Sequence, residues 1–113
     1  MADMEERVEL NYLLDFYGPL LTEHRQEVLR LYCEEDLSQQ EIADQLSITR
    51  QGVFDTLAKA KRQLLDYEAK LGLVERHRAL EAAARACLAA LADVRSPELD
   101  RARQALENML AKD

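Results

Sequence analysis

Arg50, Gln51, Lys59, Lys61 and Arg62 fall within one short run of an otherwise acidic chain, and their chemistry is that of nucleic-acid recognition. The fork of an arginine matches the O6 and N7 edge of guanine, a glutamine amide matches adenine, and nearby cations meet phosphate. From Thr49 to Arg62 the sequence holds four cations against one acid, Asp55. Over all 113 residues the formal net charge is −7, and residues 1 to 36 alone carry ten acids against three bases. Such a balance argues against a general nucleic-acid binder and leaves a single basic segment as the candidate surface. Arg50 and Gln51 are expected at base edges, with Lys59, Lys61 and Arg62 at the phosphate backbone. Phe54 and Asp55 fit less well. An exposed aromatic suits a protein partner, so Phe54 is assigned to partner contact, and an acid at Asp55 repels phosphate.

Catalysis finds little support. His24 and His77 lie far apart in different expected elements, and the chain has no Gly-rich phosphate loop, nucleophile elbow or HExxH pattern. Glu34, Glu35 and Asp36 are adjacent, but a hard-cation loop places ligands at alternating positions around a glycine turn, and a plain acidic run is solvated surface. Cys33 and Cys87 show no CxxC spacing and are expected as small core hydrophobes. The expectation is a protein that is not an enzyme, with no metal and no cofactor.

The basic run must be positioned by helices. Ser38 followed by Glu41 is a capping box, in which the hydroxyl accepts an N–H of the first turn and the carboxylate accepts the N–H of the cap residue. Ile42, Ala43 and Leu46 then share one face, and Thr49 supplies a second N-cap, so a new helix begins at Arg50. Two helices joined by so short a turn cross steeply and close a small core from Ile42, Ala43, Leu46, Ile48, Val53 and Leu57. Both Ser38 and Thr49 are explained as caps, with no need for a nucleophile role. This is helix-turn-helix geometry.

The stretch Ser38-Gln39-Gln40-Glu41-Ile42-Ala43-Asp44-Gln45-Leu46-Ser47-Ile48-Thr49-Arg50-Gln51-Gly52-Val53 resembles the helix-turn-helix of sigma-factor region four. Taken with Leu14-Asp15-Phe16-Tyr17-Gly18-Pro19-Leu20-Leu21-Thr22 upstream, and Phe54-Asp55 and Leu65-Asp66-Tyr67-Glu68 downstream, it is closer to the YlxM family of small bacterial proteins. That resemblance is dense from about Leu10 to Leu71 and fades beyond. It implies a regulatory or accessory role in protein targeting, with the signal recognition particle's RNA or its GTPase as partner. Ser47 departs from the pattern, standing where many such turns carry Gly, so a positive φ is expected to be less easily accommodated there. Two rival roles remain open: a sequence-specific DNA-binding transcriptional regulator, and a protein-interaction adaptor that uses the helix-turn-helix only as scaffold.

Around that centre the spacing predicts further helices. The first runs from Met4 or Glu5 to Phe16 with Leu10, Leu13, Leu14 and Tyr17 inward, and Gly18-Pro19 ends it. Thr22 caps the second, whose apolar side is Val28, Leu29, Leu31 and Tyr32. The fourth helix is long, unbroken from Arg50 to Leu71, with Gly72 at its C′ position. Leu57, Ala60, Leu64, Tyr67 and Leu71 recur at alternating spacings of three and four, which is a heptad seam. The spacing resumes through Leu73, His77, Leu80, Ala84, Cys87, Leu91 and Val94, and Ser96-Pro97 starts a last helix lined by Leu99, Ala102, Leu106, Met109 and Leu110.

The expected architecture is therefore all-α: a sigma region four-like helix-turn-helix domain over residues 1–71, and a C-terminal helical hairpin over 72–113 for dimerisation or partner docking. The seam looks too long for the small head to cover, so a homodimer is expected through Leu57, Leu64, Tyr67, Leu71, Leu80 and Leu91. No apolar run reaches the roughly 18 residues of a membrane span, and the acidic start is unlike a signal peptide, so the expected location is cytoplasmic.

Overall fold

The computed structural model describes residues 4–111, and among these the secondary structure is helical with no strand. In chain order the helices are α1 (Met4–Tyr17), α2 (Glu23–Cys33), α3 (Gln39–Leu46), α4 (Arg50–Leu71), α5 (Leu73–Ala90) and α6 (Pro97–Ala111), with a 3-10 turn at Gly18–Leu20 between the first two. The chain divides into two compact units, Met1–Val74 and Glu75–Asp113.

The ends of these helices follow from their caps. Thr22 Oγ1 accepts from the Arg25 N–H at 3.3 Å and opens α2. Ser38 and Glu41 form the complete capping box of α3, at 3.1 Å from the Glu41 N–H to the hydroxyl and 3.0 Å from the Ser38 N–H to the carboxylate. Accepting that backbone N–H, and then the contact with the Ser38 hydroxyl, holds the Glu41 carboxyl below its ordinary value. α4 ends at Gly72, whose φ of +62° is the left-handed cap conformation that glycine adopts without penalty.

Within the first unit α4 is the common partner, packing on α1, α2 and α3. Its buried row is Val53, Leu57, Ala60 and Leu64. Against it stand Leu13 and Tyr17 of α1, Val28 and Leu29 of α2, and Ile42 and Ala43 of α3. A single core thus takes one stripe from each helix, as amphipathic helices require.

This packing corrects the expected dimer seam. Leu57 is 3% exposed and Leu64 0%, so both are interior residues of the head and cannot meet a second chain. Tyr67 is partly buried, with its ring 5.8 Å from that of Tyr17 and its hydroxyl accepting from Gln63 Nε2 at 3.1 Å. The head covers α4 as far as Tyr67 because α1 and α2 both lie along it. Among the remaining seam residues, Leu71 and Leu80 are exposed and Leu91 half-buried.

At Ser47 the positive φ is adopted at a local cost, and at Cys87 the expected burial is overturned. Ser47 sits at φ 58°, ψ 43°, so the turn between α3 and α4 takes the left-handed conformation without glycine. The Ile48 N–H donating to Ala43 O at 3.0 Å fixes the turn, and the tertiary packing of the two helices outweighs the local cost. Cys33 is buried as expected, but Cys87 is exposed, because the apolar stripe on α5 is not covered along its length.

In the second unit Ala84 is buried, while α6 contributes no buried residue. Its turn is organised by Arg103, whose guanidinium donates to the carbonyls of Leu91 and Val94 and pairs with Asp100 at 2.7 Å. Ser96 caps α6 by accepting the Leu99 N–H at 3.1 Å.

Candidate nucleic-acid interface

The first turns of α4 are presented by α3. Thr49 adopts an extended backbone (φ −79°, ψ 154°), and its hydroxyl accepts the Gly52 N–H at 2.9 Å. A Cβ at Gly52 would approach that hydroxyl to 3.1 Å, so glycine leaves the cap its room. Once Val53 and Leu57 are drawn into the core, the helical repeat turns Gln51, Asp55, Ala58 and Arg62 to the opposite side, with Lys59 beside them. All five are exposed.

Arg50, Lys59 and Arg62 are exposed, and among the described residues their side chains have no hydrogen bond or ion pair within the chain. Gln51 donates from Nε2 to Asp55 Oδ1 at 3.0 Å, one turn along. This contact orients the amide and leaves its carbonyl oxygen and second N–H for another partner. Arg50, Gln51 and Phe54, with Gln39 from the start of α3, line a shallow depression of about 360 Å³. Phe54 is 53% exposed.

Lys61 lies elsewhere. Its ammonium pairs with Glu6 at 2.8 Å and sits 4.9 Å from the centre of the Tyr32 ring, on the side of α4 that faces α1 and α2. The helical repeat turns this half-buried cation toward α1 and α2, away from the outward side that holds Lys59 and Arg62. Burial pushes the Tyr32 hydroxyl pKa up, and the neighbouring Lys61 charge opposes the rise. Lys61 thus ties α4 to the first two helices.

Gln39 is the lining residue that sequence reasoning missed. It falls in the capping turn of α3, and only the packing of α3 against α4 carries it across to Phe54. A signal was nonetheless present: two glutamines, Gln39 and Gln40, open that helix. Gln40 pairs with Asp44 at 2.9 Å, and Gln39 faces the depression.

No group of three or more His, Cys, Asp or Glu side chains among the described residues could hold a metal ion. The acidic run after α2 contributes to tertiary structure instead. Asp36, in a left-handed conformation at φ 54°, forms an ion pair with Arg7 of α1. Among the described residues no helix is long and apolar enough to cross a membrane.

The chain is similar to known helix-turn-helix proteins. A family model described as "helix-turn-helix protein, YlxM / p13 like" (UPF0122) matches residues 4–94. A UPF0122 protein of Desulforamulus reducens is 52% identical over 73 residues, which is 65% of this chain and 62% of that protein. A UPF0122 protein of Clostridium kluyveri is 47% identical over 78 residues, 69% of this chain and 70% of its own length. One from Clostridium acetobutylicum is 48% identical over 75 residues, covering 66% of this chain and 65% of the relative.

Proposed function

This chain belongs to the UPF0122 family of YlxM / p13-like helix-turn-helix proteins, and from that premise we propose that it is a non-enzymatic accessory factor of the signal recognition particle pathway that contacts nucleic acid through α4. The observation that carries the reading is the exposed, unpaired set Arg50, Lys59 and Arg62 around the helix-turn-helix. Three cations in a chain of net charge −7 give weak, salt-sensitive binding that depends on a partner RNA or protein for its specificity. In this reading the protein works in the cytoplasm.

Titration of the full chain with the particle's RNA, its GTPase and random duplex DNA, each at two salt concentrations, tests the proposal. RNA binding that weakens with salt and with Arg50→Ala supports it. Binding to the GTPase alone, with no salt-dependent nucleic-acid signal, refutes the nucleic-acid part. Selective duplex binding that survives competitor DNA would point to a transcriptional regulator. The exposure of Phe54 favours a second reading, a protein adaptor, in which Phe54→Ala abolishes GTPase binding while Arg50→Ala does not.

The second unit takes the role of assembly. A two-helix hairpin in which α6 buries no residue lacks a core of its own. Leu80 and Met109, 55% and 47% exposed, flank an apolar hollow of about 150 Å³ between α5 and α6. A second copy laying the same face against it would close a four-helix bundle.

A further inference from the structure

The depression beside Phe54 combines three chemistries within one concavity: an aromatic ring open on one side, an arginine whose side chain has no partner among the described residues, and two amides, Gln39 and Gln51. An aromatic face stacks on any base, an arginine meets the adjoining phosphate or stacks in turn, and amides offer both donor and acceptor to a base edge. Resting on the reading of α4 as a nucleic-acid surface, we propose that this depression takes one unpaired nucleobase of a single-stranded segment, stacked on Phe54, with its phosphate at Arg50 and its edge toward Gln39 and Gln51.

The surroundings favour an unpaired base over a duplex. Docking a helix in the major groove brings several phosphates of both strands against the protein, and specific duplex binders neutralise many of them. Here Asp55 lies on the outward side of α4 among the residues that would enter the groove, and Asp44 is exposed on α3. Lys61, which would have added a fourth cation, is held by Glu6. A stacked single strand needs fewer charges, since much of its affinity comes from the base itself. The contact between Gln51 and Asp55, 3.0 Å long, also suits this use, because it fixes the amide plane before a ligand arrives.

The test uses the full chain with single-stranded RNA of about ten nucleotides carrying 2-aminopurine, and with a duplex of matching sequence. Transfer of the fluorescent base from the strand's own stack to Phe54 is expected to change its emission on binding. Phe54→Ala should remove that change and weaken binding about tenfold, and Phe54→Tyr should restore both. Arg50→Ala should weaken binding and reduce its salt dependence. Duplex binding that is lost in Arg50→Ala but untouched by Phe54→Ala would overturn the stacking site and leave the nucleic-acid reading standing. Absence of binding to either probe would overturn both. A single strand bound equally well by Phe54→Ala, with no emission change, would also overturn the stacking site.

Discussion

The hydroxyl of Tyr17 donates to Glu68 Oε1 at 2.6 Å, and this pair forms the N-terminal cap of α5. The same hydroxyl accepts the Leu73 N–H at 3.1 Å, and the same carboxylate oxygen accepts the Val74 N–H at 3.0 Å. Two otherwise orphan donors of the first turn are thereby satisfied by side chains from α1 and α4. Burial, followed by the hydrogen bond to Glu68, pushes the Tyr17 hydroxyl pKa above its ordinary value of 10.0.

Removing that hydroxyl leaves the part-buried Leu73 N–H and the Glu68 carboxylate short of a partner. Tyr17→Phe should therefore cost about 1–3 kcal/mol, mostly from the groups left unpaired. For a head of this size, thermal unfolding should show a Tm lower by roughly 4–8 °C per kcal/mol. An unchanged Tm would mean that water replaces the hydroxyl without penalty.

At Ser47 the structure predicts the opposite sign. Its left-handed backbone, φ 58°, strains any residue with a Cβ. Ser47→Gly should stabilise the head by about 1 kcal/mol, read as a higher denaturant midpoint with an unchanged slope.

Much of this architecture was legible because it rests on local chemistry. Thr22, Ser38, Thr49 and Ser96 announce helix starts through hydroxyls that need only their own neighbours, and Gly72 announces a stop. The inward positions Leu10, Leu13, Leu14 and Tyr17 follow from periodicity alone. Periodicity does not say which element covers a stripe, so Leu57 and Leu64 looked like a seam between chains until α1 and α2 were placed over them. The same gap explains Lys61 and Gln39. Whether a cation meets phosphate or Glu6, and whether a glutamine reaches Phe54, is decided by helix packing and not by spacing.

Alkaline pH should destabilise the head through Cys33. Burial pushes its thiol from 9.0 up to about 11. The unfolded chain releases this proton near the ordinary value and the folded chain only higher, so stability present below pH 9.0 is lost as pH rises toward about 11. Over that window Cys33→Ala should flatten the dependence of unfolding free energy on pH. The raised hydroxyls of Tyr17 and Tyr32 would still steepen it above pH 10.0.

Leu64 and Leu80 should respond differently to the same change. Leu64 is 0% exposed, so Leu64→Asp places a charge in the core and should abolish the cooperative transition of the head. Leu80 is 55% exposed, so Leu80→Asp should keep the head folded while halving the mass of any assembly. Light scattering alongside circular dichroism separates these outcomes. A wild-type chain that is monomeric at micromolar concentration would remove the proposed dimer.

The most direct test of the account is the salt dependence of RNA binding, measured by fluorescence anisotropy for the full chain and for Arg50→Ala, with Lys61→Ala beside them. Contacts from Arg50, Lys59 and Arg62 to a single strand predict that affinity falls roughly twentyfold between about 50 and about 200 mM salt. Arg50→Ala should lower the logarithmic slope by about 0.7, and Lys61→Ala should leave it unchanged. Equal slopes for the full chain and Arg50→Ala, or a loss of slope in Lys61→Ala, would contradict the assignment of this surface to nucleic acid.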